Sequence, residues 1–150
     1  MTSAANKMVV ATDFSEGSDE ALAKAIALGR QTGAALELVH VLEVGVDQFP
    51  FGPLFYSEDT GGIVAFIDRE LSRRADRVTA AGLACQTRML EGTTQEEIVR
   101  EARDSGADLI VIGTHGRRGL AHAMLGSVAE RVVQHATCPV LTVPFSKKAA

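Results

Sequence analysis

The amino-acid sequence predicts an α/β fold, an open parallel five-stranded sheet with helices on both faces. Three observations lead there. Five short runs rich in valine, isoleucine and leucine read as strands, the four segments between them carry helical spacing, and the two kinds alternate along the whole chain. Strand–helix–strand crossovers of this kind favour parallel strands, covered on both faces and joined right-handedly.

The first run, Lys7-Met8-Val9-Val10-Ala11-Thr12, is apolar and β-branched and reads as a buried strand. Polar residues from Asp13 to Asp19 follow, then Ala21, Leu22, Ala25, Ile26 and Leu28 at helical spacing, closed by Gly33. Leu36 to Leu42 is the second strand, followed by a long irregular connection from Glu43 to Thr60. Ile63, Phe66, Ile67, Leu71, Ala75 and Val78 mark a second helix ending near Gly82. The third strand, Ala84 to Leu90, alternates instead of running apolar throughout. Thr94 and Glu97 have the spacing of a capping box, ahead of a helix with Ile98, Val99 and Ala102 on its inner face. Asp108 to Ile112 is the clearest buried strand. A glycine-rich loop leads from it to a helix with Val128, Ala129, Val132, Val133 and Ala136, and Pro139 introduces the last strand, Val140 to Val143. In such open sheets ligands bind beyond the carboxyl ends of the strands, where strand order reverses. If that reversal lies between the first and fourth strands, the functional residues follow those two.

The chain of 150 residues is expected to form one domain over 1–150, with its core from about residue 6 to about residue 145. A composition of 46% hydrophobic and 23% charged residues is that of an ordinary globular protein. Net charge is only −4 and no run of Lys or Arg forms a basic stripe, so nucleic acid is not an expected partner. No segment has the length to span a bilayer, and the polar opening Met1 to Lys7 does not read as a secretory signal. A cytoplasmic protein with no membrane partner is the expectation. Cys85 and Cys138 form no CxxC pair, and beside apolar strands they read as small buried thiols.

The informative stretch runs from Gly113 to Ser127. Glycine after a buried strand lets the backbone turn with positive φ and approach a ligand closely. Gly126-Ser127 opens a helix whose first N–H groups lack partners and carry partial positive charge, a natural seat for phosphate. Taken locally, Ser127 and Glu130 also form a capping box, and Asp13 with Glu16 could cap the first helix. The spacing sets the stretch apart: glycine, two residues, Gly116, nine residues, then Gly-Ser, beginning at the carboxyl end of a core strand.

That spacing resembles the nucleotide-binding signature of universal stress proteins, with Gly113, Gly116, Gly126 and Ser127 at its fixed positions. Val10 to Ser15 resembles the family's first strand and acidic turn, Val39-His40-Val41 its second strand, and Cys138 to Val143 its last. The resemblance implies a Rossmann-like sheet of the adenine nucleotide alpha hydrolase kind, in the order 3-2-1-4-5. It also implies a stress-linked regulatory protein that binds ATP, or AMP or ADP, with Mg²⁺ held mainly by phosphates and water. By resemblance, the first-strand end Ala11, Thr12 and Asp13 contacts adenosine and the backbone of Val41 contacts adenine. Gly113 and Gly116 would contact ribose and phosphate, and Gly126, Ser127 and Val128 would hold the phosphates. Ala129 stands where some ATP-binding members carry a threonine. The resemblance further implies a homodimer paired through Val140 to Val143, which would also cover an otherwise open sheet edge.

Other nucleotide folds are excluded by the residues. There is no GxxxxGK[ST], and the turn after the first strand has one glycine where a dinucleotide fold needs several. A response-regulator domain is not expected, since Asp13 lacks an acidic neighbour and the third strand does not end in Asp. Phosphoryl transfer needs a metal clamp, a cation on the transferred group and something orienting the nucleophile, and no base is evident. Binding with slow hydrolysis at most is therefore expected over fast catalysis, the alternatives being a nucleotide-independent protein-interaction module on the same fold or a slow ATPase or phosphotransferase. The aromatic segment Phe49 to Tyr56 is read as a cover for the ligand or a contact to a second subunit.

Overall fold

Strands and helices alternate through residues 6–43, 59–114 and 125–145, the part of the chain that the computed structural model describes. The elements are β1 (Lys7–Ala11), α1 (Glu16–Thr32), β2 (Ala35–Leu42), α2 (Asp59–Ala80), β3 (Cys85–Glu91), α3 (Thr94–Asp104), β4 (Leu109–Gly113), α4 (Ser127–His135) and β5 (Val140–Val143). All strand pairs are parallel, in the order β3-β2-β1-β4-β5 that the resemblance implied. The chain starts at the centre, winds outward through β2 and β3, then returns to lay β4 on the other side of β1. The reversal of strand order therefore falls between β1 and β4.

Because side chains alternate along a strand, each central strand feeds two cores. Met8 and Val10 face one layer with Leu36, Leu38 and Val111, closed by Ala21, Leu22 and Ala25 of α1 and by Ile67, Leu71 and Val78 of α2. Val9 and Ala11 face the other with Val39, Val41, Ile110 and Ile112, closed by Ile98 and Ala102 of α3 and by Ala129 and Val132 of α4. Met8, Val9 and Val10 are fully buried, which is why β1 reads as a continuous apolar run. Burying each such side chain contributes about 1.5–3 kcal/mol.

Local signals fix the element ends, with some shifts from the sequence reading. Ser15 is the N-cap of α1, its Oγ accepting from the Ser18 N–H at 3.2 Å. Gly33 closes that helix with φ 77° and donates its N–H to the Gly29 carbonyl at 2.7 Å. α2 starts at Asp59, ahead of the first apolar residue of its periodic pattern. β3 is an edge strand with three consecutive exposed residues, Gln86, Thr87 and Arg88, so it lacks a continuous apolar run, and its exposure does not follow the alternation expected from the sequence. Thr94 does not act as an N-cap. Thr93 holds that position without a side-chain bond, while the Thr94 hydroxyl donates to Glu43 Oε1 at 2.5 Å, an acceptor brought over from the end of β2. Cys85 and Cys138 are half-buried instead of fully buried, and burial pushes the Cys85 thiol up to about 11. Among the described residues no helix is long and apolar enough to cross a membrane.

Candidate functional site

The residues singled out after the first and fourth strands meet at the carboxyl edge of the sheet. At the end of β1, Thr12 donates its N–H to the Val39 carbonyl at 2.9 Å. The chain then leaves the sheet. Asp13 Oδ1 accepts from the Ser15 N–H at 2.9 Å and from the Ser15 hydroxyl, so the carboxylate closes a turn and does not cap α1. Between them Phe14 takes φ 66°, a left-handed conformation that costs a bulky residue about 1–3 kcal/mol and persists only where its surroundings enforce it.

Several contacts enforce it here. The Phe14 N–H donates to Thr12 Oγ1 at 3.1 Å, and its carbonyl accepts from Arg74 Nη2 at 3.2 Å. The Phe14 ring stacks on His40, with centroids 4.4 Å apart, and meets the edge of Phe66. The Arg74 guanidinium lies 4.9 Å above the ring centroid. His40 is itself fixed by a 2.8 Å bond between Nδ1 and the Thr12 carbonyl.

Val41 shows how β2 contributes. Backbone groups of a strand alternate between its two neighbours, and Val39 faces β1. Val41 faces the same way, but its register partner would be Asp13, where the chain has already turned off. The β1 ladder therefore ends beside Val41, whose side chain is buried in the core.

On the other side of the reversal, Gly113 ends β4. A Cβ there would lie 3.0 Å from the Gly17 carbonyl oxygen, so glycine relieves a tight contact where the first turn of α1 packs directly on the strand. That corrects the sequence reading: neither Gly113 nor Gly126 has positive φ, and close approach of α1 explains Gly113. The next residue, Thr114, is buried. It donates its N–H to the Val143 carbonyl at 3.0 Å and accepts the Gly126 N–H at 2.6 Å.

These bonds hold the start of α4 against the end of β4. Gly126 is the N-cap and has no side-chain cap bond, so Ser127 and Glu130 do not form a capping box. The first intrahelical bond runs from the Glu130 N–H to the Gly126 carbonyl at 2.9 Å, which leaves the amides of Ser127, Val128 and Ala129 ahead of it. Ala129 is buried in the core, so its side chain is not part of this helix mouth.

The structure thus brings Ala11, Thr12, Asp13, Val41, Gly113, Gly126, Ser127 and Val128 to one edge. Gly116, with His115, Arg117 and Arg118 and the Phe49 to Tyr56 segment, lies outside the described residues. The sequence reading missed Phe14, His40 and Arg74. The signal for Phe14 was slight, an aromatic residue inside a polar turn.

A second cluster lies toward the amino end of the sheet. Glu37 of β2 is 2% exposed and pairs with Lys7 at 2.8 Å through Oε2, while its Oε1 has no donor within hydrogen-bond distance. Glu101 of α3 packs beside it, 3.3 Å from Arg88. Burial, and then its contact with Glu37, raise the Glu101 carboxyl above its ordinary value of 4.5.

A parallel sheet whose strand order reverses between β1 and β4, with the start of α4 beside those strand ends, is the doubly wound α/β architecture, in which ligand sites as a class lie at the reversal. Comparison with known proteins makes the class specific. The family model described as the universal stress protein family matches residues 5–144, and the chain belongs to that family.

Universal stress protein MJ0531 of Methanocaldococcus jannaschii is 37% identical over 147 residues, covering 95% of this chain and 84% of that one. Among solved structures, that of the hypothetical protein MJ0577 superposes with a TM-score of 0.86 at 27% identity, covering 97% of this chain and 99% of the other. A universal stress protein solved in complex with cAMP gives a TM-score of 0.72 at 28% identity, with 96% and 100% covered. The universal stress protein of Archaeoglobus fulgidus in complex with dAMP gives 0.68 at 26%, with 91% and 96% covered.

Proposed function

We propose that this chain binds an adenine nucleotide along the carboxyl edge of its sheet, with ATP preferred, and acts as a cytoplasmic, stress-linked regulatory homodimer instead of a fast enzyme. One observation carries the reading: the Val41 backbone, the Asp13 turn and the amides that open α4 converge on the same edge. In this reading adenine lies against Val41 and the end of β1 at Ala11 and Thr12. Asp13, Gly113 and Gly116 take the ribose side, and Gly126, Ser127 and Val128 take the phosphates. The family members solved with cAMP and dAMP support the adenine class.

Magnitudes assign the work among these parts. A helix terminus stabilises an anion by about 0.3–1 kcal/mol, whereas micromolar affinity requires about 8 kcal/mol. Adenine burial and the hydrogen bonds at the strand ends must supply most of it. Among the described residues no group of three or more His, Cys, Asp or Glu side chains could hold a metal ion. In this reading a Mg²⁺ arrives on the phosphates and keeps its water, neutralising phosphate charge at the start of α4. Dimerisation is supported by β5, a sheet edge whose Leu141 is 38% exposed, beside α4 with Val133 at 45%.

The test is direct. Mass spectrometry of the supernatant from denatured protein is expected to show co-purified adenine nucleotide, and calorimetric titration to show micromolar binding of AMP, ADP or ATP, strongest for ATP with Mg²⁺. No co-purified nucleotide and no binding up to about 1 mM, equivalent to −4.1 kcal/mol, would reject the reading. Fast steady-state ATP turnover lost in Ser127→Ala would reject its non-catalytic part, and a monomeric mass at micromolar concentration its dimeric part.

A further inference from the structure

The nucleotide edge is braced by a residue that does not lie on it. Arg74 sits in the middle of α2, and its side chain is 11% exposed despite its charge. Burial of a guanidinium is tolerated only when its fork is satisfied, and here it is. Nε and Nη2 grip both oxygens of Asp19 at 2.7 and 3.2 Å, while Nη1 reaches the Glu70 carboxylate at 2.7 Å and the Glu70 carbonyl at 3.2 Å. The remaining reach of Nη2 goes to the Phe14 carbonyl, and the flat face of the group covers the Phe14 ring.

Asp19 and Glu70 would pin Arg74 to α1 and α2 without any help from Phe14. The extra pair of contacts falls on the residue with left-handed backbone, directly after Asp13. A clamp on both the ring and the carbonyl of such a residue fixes the direction in which the preceding peptide leaves β1.

We infer that Arg74 is a positioning residue for the nucleotide site, holding Phe14 in its left-handed turn and thereby fixing the Asp13 carboxylate at the end of β1. The inference rests on the proposed adenine-nucleotide site and adds to it a residue from a different helix, 60 positions further along the chain. Asp13 belongs to the adenosine end of the ligand, so the loss on disturbing Arg74 should be independent of how many phosphates the ligand carries.

Adenosine, AMP and ATP are titrated into wild type, Arg74→Lys, Phe14→Gly and the double variant, with circular dichroism confirming that each is folded at the assay temperature. Arg74→Lys keeps the charge but not the fork, and it is expected to weaken all three ligands by about tenfold, the loss equivalent to ~1.4 kcal/mol. Glycine adopts the left-handed turn unaided. On the Phe14→Gly background, the lysine replacement is therefore expected to change affinity by less than about twofold. Should Arg74→Lys bind all three ligands like wild type, or weaken them equally with and without Phe14→Gly, the positioning role is wrong. Loss confined to ATP would also overturn it, since that pattern marks a phosphate contact. Wild type that binds none of the three removes the nucleotide reading itself, and this inference with it.

Discussion

Replacing Gly113 by alanine adds one methyl group at the point where α1 touches β4. The added Cβ would stand 3.0 Å from the Gly17 carbonyl oxygen, 3.2 Å from its carbonyl carbon and 3.6 Å from the Ser18 nitrogen. Comfortable contacts of this kind begin at about 3.5 Å, so the methyl group is a few tenths of an ångström too close to two atoms. Both belong to backbone, so no side chain can rotate aside and the first turn of α1 must shift. Overpacking of this kind costs about 1–3 kcal/mol. For a chain of this size each kcal/mol lowers Tm by about 2–4 °C, which puts the expected drop at about 2–12 °C. Gly62→Ala is the matched control. That residue is exposed in α2 and an added Cβ meets nothing within 4 Å, so the same chemical change should stabilise by up to ~1 kcal/mol through helix propensity. Urea titrations with thermal melts of the three proteins read both effects. A Gly113→Ala protein that melts within about 1 °C of wild type, at unchanged urea m-value, would show that α1 and β4 are not packed as tightly as described.

Two further predictions concern titratable groups. The Glu101 carboxyl holds its proton more tightly folded than unfolded, because of burial first and Glu37 second. Its stabilising contribution is therefore complete below 4.5 and is lost as pH rises through the raised folded value. Glu101→Gln supplies a permanent donor beside the Glu37 carboxylate, and it should flatten the part of the stability profile that lies above pH 4.5. An unchanged slope in urea midpoints would exclude Glu101 as its source. Burial raises the Cys85 thiol to about 11 and lifts Cys138 as well. Both should therefore react with Ellman's reagent at about pH 8 far more slowly than a free thiol, and a fast phase from either would contradict the burial described.

The sheet was legible because its central strands are buried on both faces and carry no competing pattern. β3 was less legible, because Gln86, Thr87 and Arg88 are exposed in succession at the sheet edge. Helix starts were less legible, for a physical reason. A hydroxyl or carboxylate with cap spacing binds whichever partner the fold brings nearest. Thr94 went to Glu43, 51 residues away, and Asp13 turned back on Ser15. Of the candidate site, the backbone parts were readable, since strand ends and a glycine-opened helix leave marks in the sequence. The Arg74, Phe14 and His40 cluster was not, because it joins residues up to 60 positions apart. Glu37 did leave a mark, a carboxylate inside a largely apolar strand, but its meaning depends on Lys7 and Glu101 arriving from other elements.

Thr114 spends its amide on β5 and its carbonyl on Gly126. One residue therefore couples the edge strand β5 to the entrance of α4. A displacement at either place must travel with the other or break a backbone hydrogen bond, a net loss of about 0.5–1.5 kcal/mol. Whatever grips this border from outside the molecule is mechanically in touch with whatever is held within.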